Sequence, residues 1–314
     1  MEKKQVKIID CTLRDGGLMN NWNFSDDLVK RMYEADLKSS VSIMEIGYKA
    51  SPKIMSVNDY GKWRFCFEED IRRVIPEKDE SMQISVMADI GRCTKDDFIH
   101  KSFSYIDIIR IACYIHQVDD AIDLANYLHE MQYETFINIM GVSQSKDEEI
   151  SNVLKQIEAT AMIKGIYLSD TFGAFRPIDI RHLTSLYRII CQTKAIGFHG
   201  HNNTQLALAN SLTAMENGAL YLDGTYFGMG RGAGNCPLEL LLPAVFGKNC
   251  DISPIIEIIE HDFEKMIDQY KWGYKIPYAI TGICNQHPRN GLKMLQEEKK
   301  KAYSAFYQEC LTSA

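Results

Sequence analysis

Two histidines separated by a single glycine give the chain its clearest chemical signal. His199 and His201 lie in the stretch "FHGHNN", directly after an apolar run. Side chains at positions i and i+2 of a strand point to the same face, so the two imidazoles converge. Imidazoles are common ligands of divalent metals, although two packed or solvent-facing histidines would show the same spacing. The pair therefore indicates one half of a metal site.

The N-terminal stretch "IIDCTLRDGG", residues 8–17, offers a third ligand, Asp15, with Arg14 beside it. Two imidazoles and one carboxylate leave open positions on Mn²⁺, Mg²⁺, Co²⁺ or Zn²⁺ for water and an oxygen-rich substrate. A guanidinium next to such an ion could hold a carboxylate or stabilise a developing enolate oxygen. Alternatively, Asp15 is an exposed turn residue, and Arg14 is a surface arginine paired with Asp10 or Glu45.

A glycine-rich stretch supplies a further candidate ligand. In "FGMGRGAGNCPLE", residues 227–239, glycine stands at four alternating positions before Asn235. The glycines allow the backbone to come close to a ligand, and the Asn235 amide oxygen could bind the metal. A phosphate cradle is the alternative, because parallel barrels often bind phosphate with their last loops.

Two other stretches place polar side chains at the ends of apolar runs. Glu45 in "MEIGYK" could act as an acid or a base, and "SDTFG" supplies Asp170 and Thr171. Each of these three side chains could equally be structural.

Eight short apolar stretches, rich in β-branched residues, alternate with segments of helical spacing. The stretches are "QVKIIDCTL", "VSIMEIGY", "MQISVMADIG", "YIDIIRIACY", "ETFINIMGV", "GIYLSDTFG", "AIGFHGHNN" and "YLDGTYFGMG". Their starts are roughly 25 to 40 residues apart, which fits a strand, a crossover helix and two loops. The pattern predicts an α/β fold, a (β/α)8 TIM barrel over residues 1–247, with an open doubly wound sheet as the alternative. Residues 248–314 are predicted to form a short C-terminal helical extension packed on the barrel.

Such a barrel would bring the candidate ligands together. Only strand eight separates strands one and seven, so Asp15 at the end of strand one can reach His199 and His201. The predicted strands end in polar or glycine residues, as expected if the C-terminal face of the barrel carries a site.

Composition excludes several classes of protein. The chain has 314 residues, 46% of them hydrophobic, and a formal net charge of −7, so we expect no nucleic-acid partner. No apolar run approaches the roughly 18 to 20 residues that a membrane helix needs, and no signal peptide is recognisable, so we expect a cytoplasmic protein without membrane contact. The nine cysteines form no C-x-x-C pair, which indicates reduced thiols.

The motifs also occur in the order found in a known superfamily. "TLRDGG", "MEIGYKASPK", "SDTFG", "FHGHNN" and "GMGRGAGNCPLE" resemble the metal-dependent TIM-barrel lyases and aldolases, which include 4-hydroxy-2-oxovalerate aldolase, 3-hydroxy-3-methylglutaryl-CoA lyase and isopropylmalate synthase. The resemblance covers residues 5–245 and is strongest to the 4-hydroxy-2-oxovalerate aldolase branch. The "GRGAGN" loop and the "WGYKIPYAITG" stretch of the tail carry that preference.

The resemblance implies a function and a ligand set. Asp15, His199 and His201 would bind the metal, Asn235 would be a weaker neighbour of it, and Arg14 would stabilise an enolate. The reaction would make or break a C–C bond beside a carbonyl, on a small anionic 2-oxo acid. Mn²⁺ or Mg²⁺ is expected ahead of Zn²⁺ or Co²⁺. A homo-oligomer is also expected, and the aldolase branch adds an aldehyde dehydrogenase as a candidate partner.

One position departs from the aldolase branch. Leu18 stands where that branch has a histidine that serves as its proton-transfer base, and leucine cannot transfer a proton. Glu45, Tyr48, His287 or a water at the metal could replace that base. Two alternatives therefore stay open: a Claisen-type synthase that joins an acyl-CoA to a 2-oxo acid, and a catalytically altered barrel that serves as a binding or scaffold subunit.

Overall fold

Eight parallel strands form a closed barrel in the computed structural model, which describes residues 5–296 and 302–312. The strands follow one another in sequential order, and β1 pairs with both β2 and β8. They are β1 (Lys7–Asp10), β2 (Ile43–Tyr48), β3 (Gln83–Asp89), β4 (Ile108–Tyr114), β5 (Glu134–Met140), β6 (Ile163–Asp170), β7 (Ala195–Gly200) and β8 (Tyr221–Gly224). The predicted (β/α)8 barrel is confirmed, and the open sheet is excluded.

The described residues also form thirteen α-helices, most of which surround the barrel. They are α1 (Gly17–Asn20), α2 (Asp26–Lys38), α3 (Glu68–Val74), α4 (Val118–Glu130), α5 (Asp147–Ala159), α6 (Pro177–Ile190), α7 (Ala207–Glu216), α8 (Leu238–Phe246), α9 (Ser253–Ile258), α10 (Glu264–Tyr270), α11 (Ile276–Ile283), α12 (Arg289–Gln296) and α13 (Tyr303–Thr312). Helix α2 begins after an N-cap residue, Ser25, whose hydroxyl accepts a hydrogen bond from Leu28 N at 3.2 Å. No helix in the described ranges is long and apolar enough to cross a membrane.

The barrel interior has an apolar layer and a charged layer. Six residues from six strands form an apolar cluster that is separate from the main core: Ile9, Ile43, Ile108, Phe136, Tyr167 and Tyr221. Arg110 on β4 lies over the Tyr167 ring, 4.0 Å from its centroid, and contacts Glu45 and Asp223 on its other side. The apolar layer therefore closes the bottom of the barrel and leaves the charged groups nearer the C-terminal strand ends.

Residues beyond α8 contact the loops at that end of the barrel. Trp272 Nε1 donates to Phe227 O at 3.0 Å, and Asn203 Nδ2 donates to Tyr278 O at 3.1 Å. The Ser143 hydroxyl donates to Asn285 Oδ1 at 2.6 Å. These contacts fit a helical extension packed on the barrel, while the boundary between residues 247 and 248 stays a prediction.

A ring of buried polar groups joins β1, α2 and the loop after β8. Asp10 accepts a hydrogen bond from Thr12 N at 2.9 Å, and the Thr12 hydroxyl accepts one from Tyr226 N at 2.9 Å. Tyr226 in turn donates its hydroxyl to Asp36 at 2.9 Å. Burial raises the pKa of Asp10 to about 6, and burial together with the charge of Asp10 raises the pKa of Asp36 well above its usual range. The folded protein therefore keeps protons here that the unfolded chain releases near pH 4.

This pair should make the folded protein less stable as the pH rises. Both folded pKa values exceed the unfolded ones, so the contribution of this pair to stability is fully present below about pH 4 and is lost as the pH rises through the folded values, which is about 6 for Asp10. Asp36→Asn removes one of these ionisations and can still accept from Tyr226. Between pH 5 and pH 8, the free energy of unfolding of the wild type should fall relative to that of Asp36→Asn in urea titrations. Exposed Asp59→Asn is the control, and parallel curves for wild type and Asp36→Asn would contradict the assignment.

Candidate metal centre and substrate cavity

Three candidate ligands converge where the barrel opens. Asp15 lies in a π-helical turn, Thr12–Gly16, that follows β1, while His199 is the last residue but one of β7 and His201 comes just after the strand. Asp15 Oδ2 lies 3.5 Å from His199 Nε2 and 3.9 Å from His201 Nε2. One ligand atom from each of the three residues lies within 4.8 Å of the others. The structure thus brings together the three residues that the sequence singled out, although their role as metal ligands stays a prediction.

The hydrogen bonding of these residues fits a bound cation. Asp15 Oδ2, His199 Nε2 and Asn235 Oδ1 are buried and have no hydrogen-bond partner among the described residues. An orphaned buried lone pair is costly unless another group satisfies it. One carboxylate, two imidazoles and an amide oxygen are donors that a divalent ion accepts.

Asp223 on β8 sets the orientation of the His199 ring. Its carboxylate lies 2.9 Å from His199 Nδ1. Burial opposes ionisation of Asp223, but Arg110 and His199 outweigh it and lower the pKa of this carboxyl. An ionised carboxylate can only accept, so Nδ1 carries the proton, and the lone pair of Nε2 faces Asp15.

The electrostatics keep Asp15 and His201 in forms that bind metal, whereas they favour a proton on His199. Burial alone would raise the pKa of Asp15, but Arg14 and the two imidazoles hold it well below its usual range. Burial lowers the pKa of His201 to about 3, so its ring is neutral at neutral pH. Burial also opposes a charge on His199, but its bonds to Asp15 and Asp223 raise its pKa. A bound cation would compete with that proton for Nε2.

Two of the three guanidinium nitrogens of Arg14 contact carboxylates closely, and the third makes no hydrogen bond within the described residues. Its Nε donates to Glu45 Oε2 at 2.7 Å, and its Nη1 lies 3.2 Å from Asp15 Oδ1. Its Nη2 makes no hydrogen bond within the described residues. Arg14 therefore pairs with Glu45, as one hypothesis expected, but it is buried and not on the surface. It also lies beside the candidate ligands, as the other hypothesis expected.

Glu45 occupies a different place from the one expected of an acid or base. Its side chain is fully buried and pairs with Arg14 at 2.7 Å and Arg110 at 3.0 Å. It lies outside the described lining of the cavity. A carboxylate held between two guanidinium groups favours positioning of Arg14 over proton transfer to a substrate.

The loop after β8 is held in a compact conformation by hydrogen bonds between its own backbone groups. Gly228 N, Gly234 N and Asn235 N donate within the loop, to Thr225 O, Arg231 O and Gly228 O. A Cβ on Gly234, whose φ is +83°, would lie 2.1 Å from Gly228 O, so the close turn requires glycine. Because the loop uses these donors itself, it favours a support for Asn235 and Arg231 over a phosphate cradle.

The site opens into a cavity of 320 Å³ at the C-terminal strand ends. Its lining includes Arg14, Asp15, Leu18, Tyr48, Thr171, His199, His201, Arg231, His287 and Arg289. Leu18 therefore faces the site from which the expected histidine is missing. A wider groove of 470 Å³ runs along α5 and α6 outside the barrel, but it carries none of the candidate ligands.

Asp170 and Thr171 have mainly structural contacts. Asp170 accepts from Ala174 N at 2.9 Å and Phe175 N at 3.2 Å, and burial raises its pKa to about 7. Thr171 accepts from Gly141 N at 2.9 Å while lining the cavity. Asp170 thus holds the turn after β6.

The sequence reasoning missed Asp223 and Arg110. Each is a lone charged residue in an apolar strand, "YLDG" for Asp223 and "YIDIIRIACY" for Arg110. A charge in a strand that is buried on both faces needs a partner, and that signal could have marked both residues.

Known proteins show the same architecture and sequence pattern. A family model described as HMGL-like matches residues 5–259. The chain is 27% identical to an oxaloacetate decarboxylase of Mycobacterium tuberculosis, over 76% of this chain and 69% of that protein. It is 26% identical to a 4-hydroxy-2-oxovalerate aldolase of Carboxydothermus hydrogenoformans, over 82% and 76%. The N-terminal domain of a provisionally named aldolase from Bacteroides vulgatus superposes with a TM-score of 0.84 at 28% identity, over 97% of this chain and all of that one.

Removing the carboxylate behind His199 should weaken metal binding. Asp223→Asn loses the charge that orients Nδ1–H, so Mn²⁺ affinity measured by calorimetry should fall by about 10- to 100-fold. His199→Ala should lose more, because it removes a ligand. His182→Ala alters an exposed histidine on α6 and is the control. Thermal unfolding without metal checks that each variant folds, and a folded Asp223→Asn with wild-type affinity would contradict the arrangement.

Proposed function

Because this chain belongs to the HMGL-like family, we propose that it is a divalent-metal-dependent carbon–carbon lyase acting on a 2-oxo acid. The observation that carries the proposal is the convergence of Asp15, His199 and His201 beside the guanidinium of Arg14. Relatives named as an aldolase and as a decarboxylase support a C–C lyase at the level of the family.

In this proposal Asp15, His199 and His201 hold the metal, and Asn235 adds its amide oxygen. When bound, a divalent ion supplies a Lewis acid that polarises the 2-oxo group of the substrate. The donor set accepts Mn²⁺ or Mg²⁺, the ions expected from the sequence.

Arg14 supplies the fixed positive charge of the site. Glu45 and Asp15 hold its Nε and Nη1, so the guanidinium is oriented before the substrate arrives. Its Nη2 lies 3.9 Å from Asp223 Oδ2 and makes no hydrogen bond within the described residues, so in this proposal it donates to the carbonyl oxygen as negative charge develops there. We assign Glu45 the role of positioning this guanidinium.

Cleavage of a 4-hydroxy-2-oxo acid also needs a proton acceptor. The hydroxyl proton leaves to a base, the C3–C4 bond breaks, and its electron pair moves to the 2-oxo oxygen. Burial raises the pKa of Tyr48 to about 12, so its hydroxyl stays protonated, whereas burial and nearby arginines lower the pKa of His287 to about 4. His287 is thus neutral and lines the cavity. Its Nδ1 accepts from Arg289 N at 3.1 Å, so it can take the proton of the substrate only when that hydrogen bond breaks.

A second candidate reaction is decarboxylation of a 3-carboxy-2-oxo acid. Leu18 favours it, because breaking a C–CO₂ bond releases no hydroxyl proton and needs no base at that position. Both reactions leave the same enolate. The expected homo-oligomer and aldehyde dehydrogenase partner stay predictions.

Enolisation can be tested without knowing the full substrate. With Mn²⁺ present, the wild type should exchange the C3 protons of pyruvate for deuterium from D₂O, as followed by NMR. Arg14→Met should slow exchange by about 100-fold or more, because the developing charge loses its donor. Arg181→Met, on the exposed face of α6, should not.

Other outcomes of the exchange experiment separate the alternatives. Metal binding without exchange would favour a scaffold subunit and contradict the lyase. A Claisen-type synthase would instead release free thiol from an acyl-CoA.

Product analysis separates the two lyase reactions. The wild type should release an aldehyde from a 4-hydroxy-2-oxo acid, and His287→Asn should reduce that release by about 10- to 100-fold while CO₂ release from oxaloacetate is spared. For each substrate, the rate measured with the metal ion alone is subtracted before the wild type and the variant are compared. CO₂ release with no aldehyde from any 4-hydroxy-2-oxo acid would favour decarboxylation.

A further inference from the structure

Two arginines line the cavity without a carboxylate partner. Arg231 and Arg289 both face it, and Arg231 Nε is buried with no hydrogen-bond partner. No carboxylate oxygen of the described residues lies within 4.0 Å of a nitrogen of either guanidinium. Each arginine lowers the pKa of His287 through its charge, so the three side chains form one cluster. Neither guanidinium is therefore held in an ion pair, although the Asp15 carboxylate, which also lines the cavity, favours the charge on Arg231.

The backbone fixes both arginines in place. Arg231 lies in the loop after β8, where Gly232 O accepts from Gly273 N at 3.0 Å and Gly234 O accepts from Asn202 N at 2.8 Å. These bonds tie the loop to the segment before α11 and to the turn after β7. Arg289 begins α12, and its N–H donates to His287 Nδ1 at 3.1 Å. The two segments that carry the arginines are therefore held by the fold, while the side chain of Arg289 is exposed.

The other arginines of the cavity already have partners. Arg14 pairs with Glu45 at 2.7 Å, and Arg92 pairs with Asp89 at 3.3 Å. In the proposed function, the 2-oxo acid end of the substrate uses the metal and Arg14. Arg231 and Arg289 are then left for another part of the same molecule.

We propose that Arg231 and Arg289 bind a second carboxylate, located on the part of the substrate remote from the reacting carbonyl. The substrate class is then a dianionic 2-oxo acid, and this inference rests on the proposed function. A guanidinium matches a carboxylate with two parallel hydrogen bonds. Arg231 is partly buried and Arg289 is exposed, and neither guanidinium is in an ion pair, so both have donors free for an anionic ligand.

A matched pair of ligands tests the second subsite. Calorimetry on the Mn²⁺-loaded protein compares 2-oxoglutarate, a dianion, with 2-oxohexanoate, a monoanion of similar length. The wild type should prefer the dianion by about 10- to 100-fold, the range for hydrogen bonds between charged groups. Arg231→Met and Arg289→Met should each reduce this preference by about 10-fold, and Arg231→Lys should keep part of it. Arg181→Met removes one exposed positive charge outside the cavity and is the control.

Several results would overturn the inference. Failure of the wild type to bind 2-oxoglutarate would do so, as would equal affinities for the two ligands. Equal weakening of both ligands by Arg231→Met would also do so, because it would place Arg231 at the shared 2-oxo acid end. Calorimetry measures the preference for the dianion independently of whether the enzyme exchanges the protons of pyruvate. A missing preference with normal exchange therefore contradicts this inference alone, and missing exchange contradicts the proposed function.

Discussion

The hydrogen bond between His199 and Asp223 is the contact on which the rest of the site depends. It holds Nδ1 at 2.9 Å from an ionised carboxylate and directs the Nε2 lone pair toward Asp15. A buried carboxylate needs a positive partner, and Arg110 supplies it at 2.6 Å. Arg110 also pairs with Glu45, which orients Arg14. One chain of contacts therefore aligns a candidate ligand and the candidate catalytic cation.

Strands and loops contribute different parts of this site. The charged network sits on four strands of a closed barrel, so its geometry is rigid and protected from water. The cavity wall above it comes from the loop after β8 and from the C-terminal helices, through Arg231 and Arg289. Strands thus carry the charged network, and the loop after β8 and helix α12 carry Arg231 and Arg289.

Local patterns predicted the barrel and the convergence of His199 and His201, because strand spacing and the alternation of side chains are local properties. The neighbourhood of Asp15 followed from the order of strands in a closed barrel. The role of Asp223 as the partner of His199 could not be predicted in this way. Its charge depends on Arg110, which is 113 residues away in the sequence and contacts Asp223 only inside the folded barrel. Glu45 was expected to exchange protons, since the sequence does not reveal that two arginines enclose it.

Anomalous diffraction from crystals soaked with Mn²⁺ and pyruvate would locate the metal. We expect one strong manganese peak within about 2.5 Å of Asp15 Oδ2, His199 Nε2 and His201 Nε2, with Arg14 Nη2 facing the pyruvate. A manganese peak elsewhere, or none in protein that binds pyruvate in this cavity, would contradict this expectation.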